Sequence, residues 1–261
     1  MDSPIGIFDS GVGGTSIWKE IITLLPNENT VYLADSKNAP YGEKSKEEII
    51  ALSIKNTELL LDKNCKIIVV ACNTATTNAI RVLREKYKVP FIGIEPAIKP
   101  AALKTKTNTI GILATKGTLN SELFETTSSR INTKIKVIEQ IGEGLVALIE
   151  HGDLISKKTT SLLKSYIDPM LKENVDCLVL GCTHYPYLIP QIKEIVGHAI
   201  HIIDSGAAVA KQTKKVLEKN NLKSLQQKKI KHELYTNTSE ATLETLLLAY
   251  KKIISINELD F

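Results

Sequence analysis

Two short stretches decide the fold: Ile67-Ile68-Val69-Val70-Ala71-Cys72-Asn73-Thr74 and Cys177-Leu178-Val179-Leu180-Gly181-Cys182-Thr183-His184. Each is an apolar run of the length of a buried strand, closed by a cysteine and a polar turn. Similar short runs occupy residues 5–8, 30–34, 66–71, 91–94, 109–113, 134–139, 177–181 and 201–203, with longer helix-period segments between them. Residues 46–63 are one such segment, predicted to gather Ile49, Ile50, Leu52, Ile54, Leu59 and Leu60 on one apolar side. This alternation predicts βαβ units and an α/β fold of parallel sheets.

A second regularity lies on top of the first. Gly6-Ile7-Phe8 runs into the polar loop Asp9-Ser10-Gly11, and Gly111-Ile112-Leu113 runs into Ala114-Thr115-Lys116-Gly117-Thr118. Cys72 follows Gly6 by 66 residues and Cys182 follows Gly111 by 71, while Glu95 and Asp204 follow the two cysteines by 23 and 22. The chain therefore reads as two similar doubly wound parallel-sheet domains, each presenting one cysteine at the same strand end. Ligands of such sheets bind outside the carboxyl ends of the strands, which places the active site in the cleft between the halves. The proline-flanked residues 95–100 mark the first crossover, and a second near Asp204-Ser205-Gly206 returns the C-terminal helices to the first half. The expected domains are 1–97 with 207–261, and 98–206.

A length of 261 residues accommodates this plan, and 43% hydrophobic with 24% charged residues excludes disordered and membrane-embedded classes. No apolar run approaches the ~18 residues that span a bilayer, and no basic segment precedes the first strand. The expectation is a cytoplasmic protein whose four cysteines stay reduced. Net charge is +4, but residues 211–231 hold eight lysines (211, 214, 215, 219, 223, 228, 229 and 231) against Glu218, so the rest of the chain carries −3. That segment reads as a solvated helix face and loop. A basic nucleic-acid-binding role is the alternative from another class, weakened by the lack of interleaved aromatics. No nucleic-acid or membrane partner is expected.

The strand ends carry the chemistry. Asp9-Ser10-Gly11-Val12-Gly13-Gly14-Thr15 opens a helix through a glycine-rich turn whose backbone N–H groups suit an anion, phosphate or carboxylate, or simply make a tight turn. It lacks the third glycine of the dinucleotide fingerprint and the Gly-Lys-Ser/Thr of a P-loop. Cys72 heads a helix expected over residues 75–87, whose positive end favours the thiolate. Cys182 stands in the same relation to a shorter segment, with His184 two residues on, whereas Cys65 and Cys177 at the entry ends read as packing residues. Two facing thiols suggest a redox pair, part of a zinc site, or acid and base on opposite faces of one carbon. Cys-x-x-Cys spacing is absent, and no short-spaced ligand pair nucleates zinc. The acid–base pair also accounts for the internal symmetry, since racemisation takes a proton from one face of a stereocentre and returns one to the other.

Five motifs occur in order: Gly6-Ile7-Phe8-Asp9-Ser10-Gly11-Val12-Gly13-Gly14-Thr15, Ala39-Pro40-Tyr41-Gly42, Val69-Val70-Ala71-Cys72-Asn73-Thr74-Ala75-Thr76, Gly111-Ile112-Leu113-Ala114-Thr115-Lys116-Gly117-Thr118 and Leu180-Gly181-Cys182-Thr183-His184-Tyr185-Pro186. Together they closely resemble the glutamate racemases, cofactor-independent enzymes that make D-glutamate for bacterial peptidoglycan. The resemblance implies Cys72 and Cys182 as the two catalytic groups, with Cys182 taking the α-proton of L-glutamate. It implies Asp9, Glu150 and His184 as assisting groups. Asp9, Ser10, Tyr41, Gly42, Asn73, Thr74, Thr115, Thr118, Thr183 and His184 form the implied substrate-holding set. It further implies no metal or other cofactor, L- or D-glutamate as the small-molecule partner, and a homodimer. Aspartate racemase is the alternative, and typically has Glu where this chain has His184 after Cys-Thr. Departures from the pattern are Ala114, where a glycine is usual, and the segment after Tyr235.

Overall fold

Strands β1 (Ile5–Asp9), β2 (Thr30–Ala34), β3 (Ile67–Val70), β4 (Phe91–Gly93), β5 (Thr109–Ala114), β6 (Lys136–Ile141), β7 (Cys177–Gly181), β8 (His201–Ile203), β9 (His232–Thr236) and β10 (Ile254–Glu258) form two sheets in the computed structural model. The structure describes residues 3–197, 199–224 and 230–261. The larger sheet has the order β10-β9-β2-β1-β3-β4 and the smaller β6-β5-β7-β8, and every pairing is parallel. The doubly wound α/β class expected from the sequence is therefore the observed one. Strip β9 and β10 from the larger sheet and the two orders coincide, so β3 and β7 are equivalent strands. Cys72 and Cys182 follow these two strands.

The C-terminal region differs from the expectation. It contributes the helix Gly206–Lys219 and shorter helical turns, but also β9 and β10, which extend the first sheet beyond β2. His232, Leu234 and Thr236 are buried in β9 while Glu233 and Tyr235 are half-buried, an alternation in which only Leu234 is a strong apolar marker. Such a strand lacks the β-branched run by which the others were recognised. Lys228 and Lys229 of the lysine-rich segment lie outside the described residues, while Lys211, Lys215 and Lys219 are exposed on the helix Gly206–Lys219.

Strands β1, β2, β3, β5 and β7 are buried along their whole length, as parallel strands covered on both faces must be. Cys65 and Cys177 pack in the apolar clusters on the outer faces, where burial pushes their thiols up to about 12 and about 11. Lys66, read as the start of a strand, instead precedes β3 and makes a buried ion pair with Glu28 at 2.5 Å. The other Glu28 oxygen accepts the Ser224 N–H, tying residues after the long C-terminal helix to the first half.

Helices α1 (Thr15–Leu24), α2 (Lys46–Asp62) and α3 (Asn73–Lys86) connect the first strands. A capping box starts α2: the Ser45 hydroxyl accepts the Glu48 N–H, and the Glu48 carboxylate accepts the Ser45 N–H. Its fully buried face is Ile49, Ser53, Asn56, Thr57 and Leu60, and Ile50, Leu52, Ile54 and Leu59 are only partly buried. Three polar residues thus hold the innermost stripe that apolar counting had assigned to isoleucine and leucine. No helix among the described residues is long and apolar enough to cross a membrane.

Candidate active site

Each sheet reverses its strand order between two central strands, β1 and β3 in one and β5 and β7 in the other, and there the loops diverge and leave a crevice. The two crevices meet in one narrow cavity. Ser10, Tyr41, Gly42, Cys72, Asn73 and Thr74 line it from the first half, and Thr115, Cys182, Thr183 and His184 from the second. Asp9, Glu150 and Thr118 stand behind these residues. Pro40 and Val146 also line the cavity, and sequence reading did not single them out. Val146 is four residues before Glu150 on the helix Leu145–Glu150, one turn along the same face, which was the available signal.

At the second cysteine the groups form a relay. The Cys182 sulfur lies 3.7 Å from Nδ1 of His184, and Nε2 of His184 lies 2.5 Å from Glu150 Oε1. Burial alone would lower the His184 pKa, but Cys182 and the Glu150 carboxylate outweigh it and hold the imidazole well above its ordinary value. Burial likewise acts upward on Glu150. The His184 contact, the Ser36 hydroxyl and the Val12 N–H prevail and hold its carboxyl below the usual range. The imidazole, itself 1% exposed, thus lies between the Cys182 sulfur and the Glu150 carboxylate. Ser36 was not singled out from sequence, because its partner is 114 residues away.

The first cysteine has the opposite surroundings. Cys72 is the N-cap of α3, and its sulfur accepts the Ala75 N–H at 3.4 Å and donates to the Ser10 hydroxyl at 3.6 Å. The helix start was expected to favour the thiolate. Burial instead pushes the Cys72 thiol far up, the Asp9 charge adds to this, and the Ala75 and Ser10 contacts only oppose it. One weak N–H···S bond does not replace lost water around a thiolate. Asp9 itself is fully buried, and burial raises it to about 6 against the charge of His184 and the Gly14 N–H. Its oxygens accept Gly14 N–H at 2.8 Å and the Thr183 hydroxyl at 3.2 Å.

The glycine-rich loop carries a second correction. Its N–H groups face the protein's own side chains: Val12 donates to Glu150 at 2.7 Å, Gly14 donates to Asp9, and the Gly13 nitrogen lies 3.3 Å from Nε2 of His184. The anion that this helix start was expected to receive is the Glu150 carboxylate of the opposite half. Across the other side of the cavity the Thr74, Thr115 and Thr118 hydroxyls meet at 2.8, 3.3 and 3.0 Å. That approach depends on Gly42 and Gly117, since a Cβ on Gly117 would press on the Thr74 methyl and the Gly42 backbone. Both polar atoms of the Asn73 side chain are buried without a protein partner, so they are free to bind a polar molecule in the cavity. The Tyr41 hydroxyl, by contrast, donates to Asp35 at 2.5 Å and is not available to the cavity. Among the described residues no group of three or more His, Cys, Asp or Glu is arranged to hold a metal ion.

Residues 5–213 match the Asp/Glu/Hydantoin racemase family. The chain is 47% identical over 216 residues to a glutamate racemase of Herpetosiphon aurantiacus, covering 83% of this chain and 85% of that one. Its fold is similar to that of glutamate racemase isoform RacE1 from Bacillus anthracis, with TM-score 0.88, 33% identity, and 99% of this chain and 98% of that one covered. It is also similar to Escherichia coli glutamate racemase in complex with L-glutamate and the activator UDP-MurNAc-ala, with TM-score 0.86, 31% identity and 98% of both chains covered.

Proposed function

The chain belongs to the Asp/Glu/Hydantoin racemase family, and from that premise we propose that it is a cofactor-independent glutamate racemase working with two thiols. The observation that carries the reading is the pair of buried cysteines on equivalent strand ends of one cavity, one beside the His184 ring and one beside the Asp9 carboxylate. The His184 ring stands within reach of the Cys182 sulfur to exchange a proton with it, and burial keeps Cys72 a thiol. The Cys182 thiolate removes the α-proton of L-glutamate and becomes a thiol. Cys72 delivers its proton to the opposite face of the carbanion and becomes a thiolate, and D-glutamate reacts by the reverse path. Asp9, behind the lining, holds the Thr183 hydroxyl and sets the charge beside Cys72. Asn73, Ser10, Thr74 and Thr183 hold the substrate carboxylate, where hydrogen bonds that strengthen as charge develops stabilise the carbanion in a water-poor cavity. The D-glutamate product would serve peptidoglycan synthesis in the cytoplasm.

Incubation of the purified protein with L-glutamate in D2O, without added cofactor, tests this directly. D-glutamate carrying deuterium at Cα is expected. Turnover of aspartate but not glutamate would overturn the assignment in favour of aspartate racemase.

Substituting Gly13→Ala should also lower kcat, because a Cβ there would overlap the buried His184 ring. A displacement of the imidazole by about 1 Å is expected to cost about 10²-fold. Wild-type kcat in that variant would show that His184 placement does not matter to turnover.

A further inference from the structure

Asp35 sits just beyond the carboxyl end of β2, only 1% exposed. Among the described residues its side-chain partners are all neutral: the Tyr41 hydroxyl at 2.5 Å and the Asn56 amide at 3.5 Å on Oδ2, and the amides of Asn38 at 2.7 Å and Asn237 at 2.6 Å on Oδ1. The Asn56 amide also donates to the Tyr41 hydroxyl at 3.0 Å, which explains the polar stripe on the inner face of α2. Asn237 does more than meet Asp35. Its oxygen accepts the Lys37 N–H at 2.8 Å, and its amide also donates to the Phe261 carbonyl at 3.1 Å. A buried carboxylate held by neutral donors depends on each of them. Asn237 therefore bridges β9 to the loop that begins at Asp35 and ends in the cavity wall at Pro40, Tyr41 and Gly42.

We propose that Asp35 and Asn237 are positioning residues, which fix the Tyr41 ring and with it the Pro40-Tyr41-Gly42 wall of the substrate cavity. The segment in which the sequence leaves the racemase pattern then completes the site, through a strand paired to β2 and an amide 202 residues from its partner. The inference rests on the glutamate racemase reading for its kinetic consequence, and on geometry alone for the integrity of the wall.

Three variants separate these: Asp35→Asn, Asn237→Asp, and the exchange Asp35→Asn/Asn237→Asp, which restores an amide–carboxylate pair with its ends reversed. Each single change is expected to raise KM for L-glutamate about tenfold or more, the factor of one lost hydrogen bond to a charged group, with a smaller change in kcat. The exchange should recover part of that loss, since it restores the 35–237 bond but not the donor to the Phe261 carbonyl. Alkylation of Cys72 by iodoacetamide, located by peptide mass spectrometry, reads the wall without reference to substrate. It is expected to speed up in the single variants and slow again in the exchange. If wild type fails to racemise glutamate while the alkylation pattern holds, the functional reading fails and the wall stands. Single variants with lowered melting temperature but unchanged KM and unchanged Cys72 alkylation would overturn the proposal.

Discussion

Cys72→Ala and Cys182→Ala are each expected to lower kcat by about 10²–10⁴-fold, the usual range for one positioned acid or base. A water molecule does not substitute for either thiol, because both cysteines are buried, at most 6% exposed. Substrate and product are mirror images of equal free energy, so kcat/KM must fall by the same factor in both directions whichever cysteine is removed. Proton exchange distinguishes the two variants. Cys72→Ala retains the base beside His184 and is expected to wash deuterium into L-glutamate without inversion. Cys182→Ala is expected to exchange only D-glutamate. Full racemisation by either variant would rule out the two-thiol mechanism.

The second large effect is on pH dependence. Asp9 is raised to about 6, so it is charged at neutral pH and takes up a proton at mildly acidic pH. Because that charge acts on Cys72 and orients Thr183 at the cavity, kcat/KM should fall about tenfold per pH unit below about 6, as one proton uptake requires. Asp9→Asn should flatten that limb and lower the plateau by about 10²-fold. Loss of fold does not explain such a limb, as the signs show. The folded pKa of Asp9 lies above its unfolded value of 3.8, so its ionised form is the destabilising one, and proton uptake between about 6 and 3.8 favours the folded state. His184 is raised, and its contribution is present below 6.5 and lost only as pH rises through its folded value. Glu150 is lowered, so its contribution is lost only as pH falls below 4.5. Between pH 5 and 6 none of the three favours unfolding. The activity lost there should return on neutralisation, with an unchanged circular dichroism spectrum throughout; a persistent acid limb in Asp9→Asn would remove Asp9 from this role.

Much of the site was legible because a parallel βα unit puts the residue after each strand on the same side of the sheet. Asp9, Cys72, Thr115 and Cys182 could each be placed in this way from strand periodicity, and the structure brings them around one region. Tyr41, expected to hold substrate, lines the cavity, but its hydroxyl points to Asp35, which no local pattern connects to it. Ser36, Asn56 and Asn237 were missed for the same reason. A polar residue in a helix stripe or a loop is ordinary in sequence, and becomes informative only when its partner is known. Strand β9 was missed because its burial comes from pairing with β2 rather than from apolar residues of its own.

By itself the sequence determined the α/β class, its two similar parallel-sheet halves and the strand ends at which reactive groups stand, because these follow from periodicity and from turns of a few residues. Only the tertiary structure decided how those groups are charged and where they point. The glycine loop received Glu150 in place of an outside anion, Cys72 became a reluctant thiolate, and an amide from β9 came to brace the cavity wall. Desolvation and charge pairing are set by whatever packs against a group, and here those neighbours lie up to 202 residues away in the chain.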